Sequence, residues 1–162
     1  MIFKRRTLQE KILDDINKHG RVVIARGMKT KEILDYKFNV ETGDIQYKMI
    51  PSEMIYVYEK LEKYDYQIFK AIDILQNDIN SRQSIVLFNN DDKMPECLVS
   101  AHFFIRNKKL ICLVTSRSLD VQNKLYTDIL IVKKICERIE KELNVRLSYM
   151  SFQVNNCHYY IK

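Results

Sequence analysis

The sequence has few of the residues that interrupt secondary structure, with three glycines and two prolines among 162 residues. This scarcity leaves little room for a flexible linker, and we find no low-complexity segment and no internal repeat. The length suits one compact domain, and an apolar content of 46% is enough for a hydrophobic core. We therefore expect residues 1–162 to form a single domain.

Long apolar runs are also missing from the sequence. No run approaches the roughly 18–20 residues that a membrane-spanning helix requires. The opening MIFKRRTLQEK lacks the apolar core of a signal peptide. These absences argue against a membrane protein or a secreted protein, and we expect a cytoplasmic location.

The cysteines lack the spacing of a metal site or a redox motif. They are Cys97, Cys112, Cys136 and Cys157. None forms a CxxC pair, so we expect no metal and, in a reducing compartment, free thiols. Cys112 and Cys136 lie in apolar patterns typical of a core. Cys97 instead follows the polar loop NNDDKMPE (89–96), at the point where a strand begins.

The formal net charge of +6 is not concentrated in one segment. Basic clusters occur at 4–6, 29–31, 108–109 and 133–134, but acidic residues interleave with most of them. An ordinary solvated surface explains this pattern, and the alternative is an anionic ligand, either a nucleic acid or a phosphorylated small molecule. No helix-turn-helix, zinc-knuckle or RNP motif favours the nucleic acid.

Hydrophobic periodicity predicts an α+β order of elements. Helices are predicted at 7–20, at 51–77 with a break near 64–66, and at 126–142. Strands are predicted at 21–26, 32–40, 84–88, 97–106, 109–117 and 144–155, with turns at 41–44 and 107–108. One twisted, mostly antiparallel sheet packed by helices is the simplest fold for this order.

A polar stretch between two apolar runs, TSRSLDVQNKLYTD (115–128), carries a family motif. Its residues 117–121, RSLDV, resemble the R-S-x-D-V motif of thymidylate synthases and phage deoxycytidylate hydroxymethylases. Other segments resemble this superfamily in the same chain order: DINSRQ (78–83), MPECLVSAHF (94–103), IRNKKL (105–110), HYY (158–160) and, more loosely, RGMKTKEI (26–33) and YEKLEKY (58–64). The resemblance spans nearly the whole chain.

The resemblance implies the family's α+β fold, a dimer formed through the sheet, and a pyrimidine nucleoside monophosphate as the ligand. The implied catalytic residues are Cys97, which would attack C6 of the base, Glu59, which would manage protons, and Asp120. The implied binding residues are Arg26, Arg82, His102, Arg117, Ser118, Asp128, His158 and Tyr160. Of these, Arg26, Arg117 and Ser118 would hold the phosphate, while Arg82 would reach the site of the partner subunit. His158 and Tyr160 would bind the ribose.

Asp128 bears on the choice of base. The synthases that act on dUMP have Asn at the matching position, whereas the hydroxymethylases that act on dCMP have Asp. An amide both accepts and donates, as N3–H and O4 of uracil require, but a carboxylate only accepts. Cytosine offers its exocyclic amine, and N3 when protonated, so Asp128 favours a cytosine nucleotide, dCMP or CMP.

The departures from the family concern folate. The segment that brings tryptophans onto the pterin is absent between YEKLEKY and DINSRQ, and the chain has no Trp. Gln83 replaces the second Arg of the S-R-R segment, the Gly of the folate loop is replaced, with Lys124 in its region, and the sequence stops at Lys162. The resemblance implies methylenetetrahydrofolate as one-carbon donor, but these departures argue that the folate half of the site is largely lost.

Three functions remain open from the sequence. The first is one-carbon transfer to C5 of a pyrimidine nucleotide, by hydroxymethylation or methylation. The second is a non-catalytic protein that binds, senses or sequesters the nucleotide, and the third is a nucleic-acid-binding module. Structural roles also stay open, with Cys97 as a buried strand thiol, Glu59 on a solvated helix face and Asp128 as a helix first-turn residue.

Overall fold

The computed structural model describes residues 6–41, 49–88 and 96–161. The helices are α1 (Leu8–His19), α2 (Pro51–Lys63), α3 (Asp65–Asn77) and α4 (Leu125–Leu143). The strands are β1 (Arg21–Ala25), β2 (Met28–Val40), β3 (Ile85–Leu87), β4 (Leu98–Arg106), β5 (Lys109–Ser116), β6 (Leu119–Asp120) and β7 (Arg146–Tyr160). In this part of the chain, none of the helices has the length and apolarity that crossing a membrane requires.

The strands form one mixed sheet in the order β1-β2-β7-β5-β4-β3, with β6 added beside β7. Four neighbouring pairs are antiparallel, whereas β5–β7 and β6–β7 are parallel. Parallel neighbours need a long crossover, and α4 supplies it between β5 and β7. The α+β class predicted from the sequence is confirmed.

Local sequence signals explain how α1 begins and ends. The Thr7 hydroxyl accepts a hydrogen bond from the Glu10 N–H at 3.2 Å, and the Glu10 carboxylate accepts one from the Thr7 N–H at 2.8 Å, which is the predicted capping box. Gly20 follows the helix with a φ of −78°, so it is not in the left-handed conformation. It is needed for space, because a Cβ there would clash with the carbonyl oxygen of Ile16 and lie 2.9 Å from that of Glu32.

The other helices and strands predicted from the sequence differ from the observed ones mainly at their ends. Tyr64 alone separates α2 from α3, at the predicted break. Asn107 and Lys108 have φ values of 50° and 59°, as a two-residue hairpin turn between β4 and β5 requires. Strands β2 and β7 are longer than predicted, so the HYY segment lies within β7. The turn predicted at 41–44 lies outside the described residues, apart from Glu41.

Alternation along β4, β5 and β7 gives the sheet two unlike faces. One face packs under the helices and is buried; it presents Ala101, Phe103, Ile105, Leu110, Cys112, Val114, Met150, Phe152 and Val154. The opposite face, which we call the outer face, presents His102, Phe104, Ile111, Leu113 and Tyr149. These side chains are only partly covered, and Leu113 is 42% exposed. The outer face is therefore an apolar surface that the described helices leave open.

The sheet is irregular near the start of α4. The β4–β5 pairing shifts between Leu98 and Ser100, and the two-residue strand β6 pairs Asp120 with His158 of β7. Sequence periodicity does not predict β6. These irregularities bring together the start of β4, the turn after β5 and the end of β7.

Candidate functional site

A pocket of about 480 Å³ opens where these elements meet the β1–β2 turn, α2 and the start of α4. Its volume falls in the ~300–1,000 Å³ range of small-molecule sites. Most of the predicted site residues line it, namely Arg26, Cys97, Arg117, Ser118, Asp120, Asp128, His158 and Tyr160. The fold thus gathers residues that are up to about 130 positions apart in the sequence into one cavity.

Glu59 is not brought to this pocket. It is exposed on α2, whereas the pocket is lined by Tyr56, Lys60 and Tyr64 of the same helix or its end. These three residues are spaced four positions apart and therefore share one helix face. Glu59 precedes Lys60 by one residue, which turns its side chain about 100° away from that face. The structure therefore places Glu59 outside the pocket lining, and its role in managing protons stays a prediction.

Arg82 and His102 also lie outside the pocket lining. Arg82 is exposed, and its backbone carbonyl accepts a hydrogen bond from His102 Nε2 at 2.8 Å. The His102 ring packs against Phe104 on the outer face, with 4.2 Å between ring centroids. Neither His102 nor Arg82 is among the residues that line the pocket, and their predicted roles in binding the ligand stay predictions.

Cys97 is an exposed thiol at the entrance to β4, so it is not a buried strand residue. Its carbonyl oxygen accepts a hydrogen bond from the Arg117 N–H at 2.7 Å and another from the Ser116 hydroxyl at 3.0 Å. These bonds fix the Cys97 backbone against the end of β5. As a result the guanidinium Nη2 of Arg117 lies 3.8 Å from Cys97 Sγ.

The surroundings of Cys97 favour the protonated thiol over the thiolate. Partial burial raises the pKa of Cys97 above its ordinary value of 9.0, and the carboxylates of Asp128 and Glu96 raise it further. The cations of Arg117 and Lys124 act in the opposite direction but do not prevail. Because the thiolate is the reactive form, a change in this balance of charges controls the reactivity of Cys97.

Asp128 is the most unusual group in the pocket. It lies in the first turn of α4, is 6% exposed, and its Oδ2 has no hydrogen-bond partner among the described residues. Burial raises the pKa of its carboxyl to about 7, with Lys124 and Lys60 opposing the rise. A helix start favours a carboxylate, but here burial dominates. An unpaired buried carboxyl is costly, which indicates a group kept for a ligand.

Asp120 has a structural use that the sequence did not reveal. Its Oδ1 accepts hydrogen bonds from the backbone N–H groups of Gln122 at 3.1 Å and Asn123 at 3.3 Å. Its Oδ2 accepts one from the Asn123 side-chain amide at 2.7 Å. Asp120 therefore holds the turn that leads into α4, and through α4 it positions Asp128.

His158 and Tyr160 project into the pocket from the end of β7. Their rings are nearly perpendicular, with centroids 5.4 Å apart. The Nδ1 atom of His158 is buried and makes no hydrogen bond to the residues that the structure describes. Opposite His158 lies Glu32 of β2, whose carboxylate is held by Arg21 and Asn156. The His158 ring is thus left with an unused polar atom at the cavity.

A cluster around Glu96 completes the pocket and was not found from the sequence. The Glu96 carboxylate pairs with Lys60, and it lies 3.3 Å from Lys63 Nζ and from the Tyr64 hydroxyl. Burial works to raise the pKa of Glu96, but the two lysines outweigh it and lower that pKa. The four-residue spacing of Tyr56, Lys60 and Tyr64 was the only signal in the sequence for this wall of the pocket.

Two ammonium groups lie over the Tyr56 ring. Lys124 Nζ is 4.9 Å and Lys60 Nζ is 5.3 Å from the centroid of its ring, at distances typical of cation–π contacts. Burial and the nearby Asp128 raise the pKa of Tyr56 to about 12, so the ring stays neutral. Lys124 therefore occupies space over an aromatic side chain of the pocket. Among the described residues, no cluster of three or more His, Cys, Asp or Glu side chains is placed to hold a metal ion.

Comparison with known proteins gives a family match. The family model described as thymidylate synthase matches residues 54–162, from α2 to the end of the chain. The match includes Cys97, Arg117, Asp128 and His158, but not the β1–β2 turn that carries Arg26. No curated protein matches the sequence.

Proposed function

Because the chain belongs to the thymidylate synthase family, we propose that its pocket binds a pyrimidine nucleoside monophosphate and prefers cytosine as the base. The observation that carries the proposal is Asp128, a buried carboxyl with an unpaired oxygen, which lines the same cavity as the exposed thiol Cys97. The nucleotide would be dCMP or CMP.

The phosphate is assigned to Arg117, Ser118 and Arg26. Guanidinium groups bind phosphate through paired, permanently charged donors, and Arg117 is fixed by its backbone bond to Cys97. Arg26 lies at the pocket in the tight β1–β2 turn, with a φ of 53°. His158 and Tyr160 are then placed to meet the ribose, since His158 Nδ1 lacks a partner among the described residues.

The base is assigned to Asp128. A carboxyl with a pKa of about 7 can share one proton with N3 of cytosine while its other oxygen accepts from the exocyclic amine. The protonated cytosine ring then presents two donors to one carboxylate. Uracil offers N3–H as a donor and O4 as an acceptor, so it pairs with Asp128 only while the carboxyl itself keeps the proton, and this neutral pair is weaker than the charge-assisted pair with cytosine.

The same arrangement supports a covalent step at Cys97. The thiolate sulfur forms a bond to C6, the C5=C6 π electrons become a C4=C5 double bond, and the C4=N3 π electrons move to N3, which takes the proton from Asp128. This leaves C5 nucleophilic, so it takes a proton from water. Loss of the original C5 hydrogen, return of the N3 proton to Asp128 and expulsion of the thiolate regenerate the nucleotide.

Within residues 6–41, 49–88 and 96–161, the pocket lining does not fit folate bound in the family's manner. Stacking of a pterin needs an open aromatic face beside the base, but the Tyr56 ring has Lys60 and Lys124 over it. In addition, α2 and α3 are joined by Tyr64 alone, so no segment between them adds an aromatic wall. We therefore assign no step to methylenetetrahydrofolate, and this observation favours the second candidate function, a protein that binds, senses or sequesters the nucleotide without one-carbon transfer.

The base assignment predicts a ranking of nucleotides in thermal unfolding. At about 100 times the dissociation constant, dCMP should stabilise the protein by about 2.7 kcal/mol, or roughly 5–10 °C. An equal concentration of dUMP should give a smaller shift, and Asp128→Asn should reverse the order. Equal shifts for dCMP, CMP and dUMP in the wild type would contradict the role of Asp128.

A catalytic Cys97 predicts exchange of the C5 hydrogen. Wild-type protein in D₂O should replace this hydrogen of dCMP with deuterium, as followed by proton NMR. Cys97→Ser should stop the exchange but leave dCMP binding within about threefold, because the thiol is not among the groups assigned to phosphate, ribose or base. Wild-type protein that binds dCMP without any exchange would support the non-catalytic candidate instead.

A dimer through the outer face is also part of the proposal, since members of the family are typically dimeric. The half-exposed Leu113, together with Phe104, Ile111 and Tyr149, gives this face an apolar centre. Arg82 and His102 lie at this side of the sheet rather than at the pocket, and this position supports the proposal that Arg82 contacts a second subunit.

The dimer can be tested by sedimentation velocity. Leu113→Asp buries charge in the proposed interface, so the variant should sediment as a monomer at micromolar concentration. Ile55→Asp is the matched control, because Ile55 is 59% exposed on α2 and lies away from the outer face; this variant should remain dimeric. A monomeric wild-type protein would rule out the interface.

A further inference from the structure

We propose that the charge on Asp128 controls the ionisation of Cys97, so that a base which neutralises Asp128 also prepares the thiol for attack. This inference rests on the proposed function, because it assigns a second consequence to the same contact between base and carboxyl. It makes Asp128 a positioning residue for reactivity as well as a recognition residue.

The geometry places the exposed Cys97 thiol and the buried Asp128 carboxyl on the walls of one cavity. Both line the same cavity, and the Asp128 carboxyl is almost fully buried without a hydrogen-bond partner on Oδ2 among the described residues. Charges in such surroundings are screened far less than at a surface. A carboxylate at Asp128 therefore acts on the Cys97 sulfur across the cavity.

The other charges around Cys97 determine how the thiol responds when Asp128 becomes neutral. Arg117 contacts the sulfur from the end of β5 at 3.8 Å, and Lys124 faces it from the turn before α4. Glu96 is the remaining carboxylate, but it is held by Lys60 and Lys63 of α2. With Asp128 neutral, the balance around the thiol moves towards the positive side, which favours the thiolate.

Cytosine is suited to produce this change. When it shares a proton with the carboxyl, the pair of Asp128 and cytosine carries no net charge. Each negative charge removed from the surroundings of a thiol lowers its pKa, and one pKa unit is a tenfold change in thiolate at a pH below the pKa. A ligand that leaves Asp128 ionised does not lower the pKa of the Cys97 thiol in this way. Discrimination between bases would therefore extend from binding to the reactivity of the thiol.

The first arm of the test needs no ligand. Protein labelled with [3-¹³C]cysteine is titrated by NMR, where the Cys97 resonance reports its ionisation and the three buried cysteines serve as references. Asp128→Asn and Asp128→Ser should both ionise Cys97 at lower pH, with up to about tenfold more thiolate at a fixed pH. Glu62→Gln, an exposed α2 carboxylate outside the pocket lining, should not change the curve. Identical curves for wild type and both Asp128 variants would overturn the proposal.

The second arm adds deoxycytidine or deoxyuridine, which lack the phosphate that would occupy Arg117. Deoxycytidine should increase the thiolate fraction of Cys97 in the wild type and in Glu96→Gln, but not in Asp128→Asn; deoxyuridine, whose neutral pair with the protonated carboxyl is weaker, should give a smaller increase at the same concentration. If deoxycytidine binds and the Cys97 curve does not move, the inference is wrong while the proposed function stands. If calorimetry detects no binding of deoxycytidine even at millimolar concentration, both the base assignment and the control of Cys97 ionisation by Asp128 are overturned.

Discussion

Asp128→Asn is expected to make the protein more stable above pH 7, by up to about 4 kcal/mol in the free energy of unfolding. The carboxyl has a pKa of about 7 in the folded protein against an ordinary value of 3.8, so the folded state binds a proton more tightly than the unfolded state. The protonated carboxyl therefore stabilises the folded state in full below pH 3.8, and this stabilisation is lost as the pH rises towards 7. The difference of about three pKa units corresponds to about 4 kcal/mol.

Urea denaturation at several pH values between 4 and 9 measures this effect. The stability difference between Asp128→Asn and wild type should grow through the window from pH 4 to 7 and then level off. The unpaired amide of the variant has its own burial cost of roughly 1–3 kcal/mol, which lowers the plateau but does not change its pH dependence. Asp73→Asn, on the exposed side of α3, is the control. A stability difference that is constant with pH would show that Asp128 is ionised at neutral pH without penalty.

Arg117→Gln is expected to weaken dCMP binding by about 100-fold. The variant loses two charge-assisted hydrogen bonds to phosphate, each contributing roughly 1.5 kcal/mol. Arg117→Lys should recover only part of the affinity, because an ammonium lacks the planar pair of donors. Isothermal titration calorimetry with dCMP gives the dissociation constants.

Two comparisons separate phosphate binding from a general loss of positive charge. Arg146→Gln removes the same charge from an exposed position at the start of β7, outside the pocket, and should bind dCMP like the wild type. Deoxycytidine has no phosphate, so Arg117→Gln should bind it about as well as wild type does. Equal loss of dCMP and deoxycytidine affinity would mean that Arg117 supports the pocket without contacting phosphate.

The fold class follows from the sequence because strong local signals agree with the final packing. The Thr7 capping box, the break at Tyr64 and the Asn107–Lys108 turn are local, and each appears in the structure. Strand β6 has only two residues and depends on its neighbour β7 for pairing. No periodicity can reveal such a strand, because its stability comes from tertiary contacts alone.

Site residues are predicted well where a sequence motif identifies them. They are predicted less well where the result depends on which face of a helix the side chain lies on. Cys97, Arg117 and Asp128 lie in or near the segments that resemble the family, and all three reach the pocket. Glu59 rests on a loose match, and a difference of one residue along α2 turns it to solvent while Lys60 points inward. The pairing of Lys60 with Glu96 joins residues 36 positions apart, so only the tertiary structure shows it.

The crossover of α4 between parallel strands has a consequence for folding. Cys97, Asp128 and His158 come from the entrance to β4, from α4 and from β7, so the cavity is complete only after α4 has crossed and β7 has been inserted between β2 and β5. Contacts of such long sequence separation form late, after the entropy of closing large loops has been lost. A nucleotide should therefore protect the chain against global unfolding rather than local fraying, and amides throughout the sheet should exchange more slowly with solvent when it is bound.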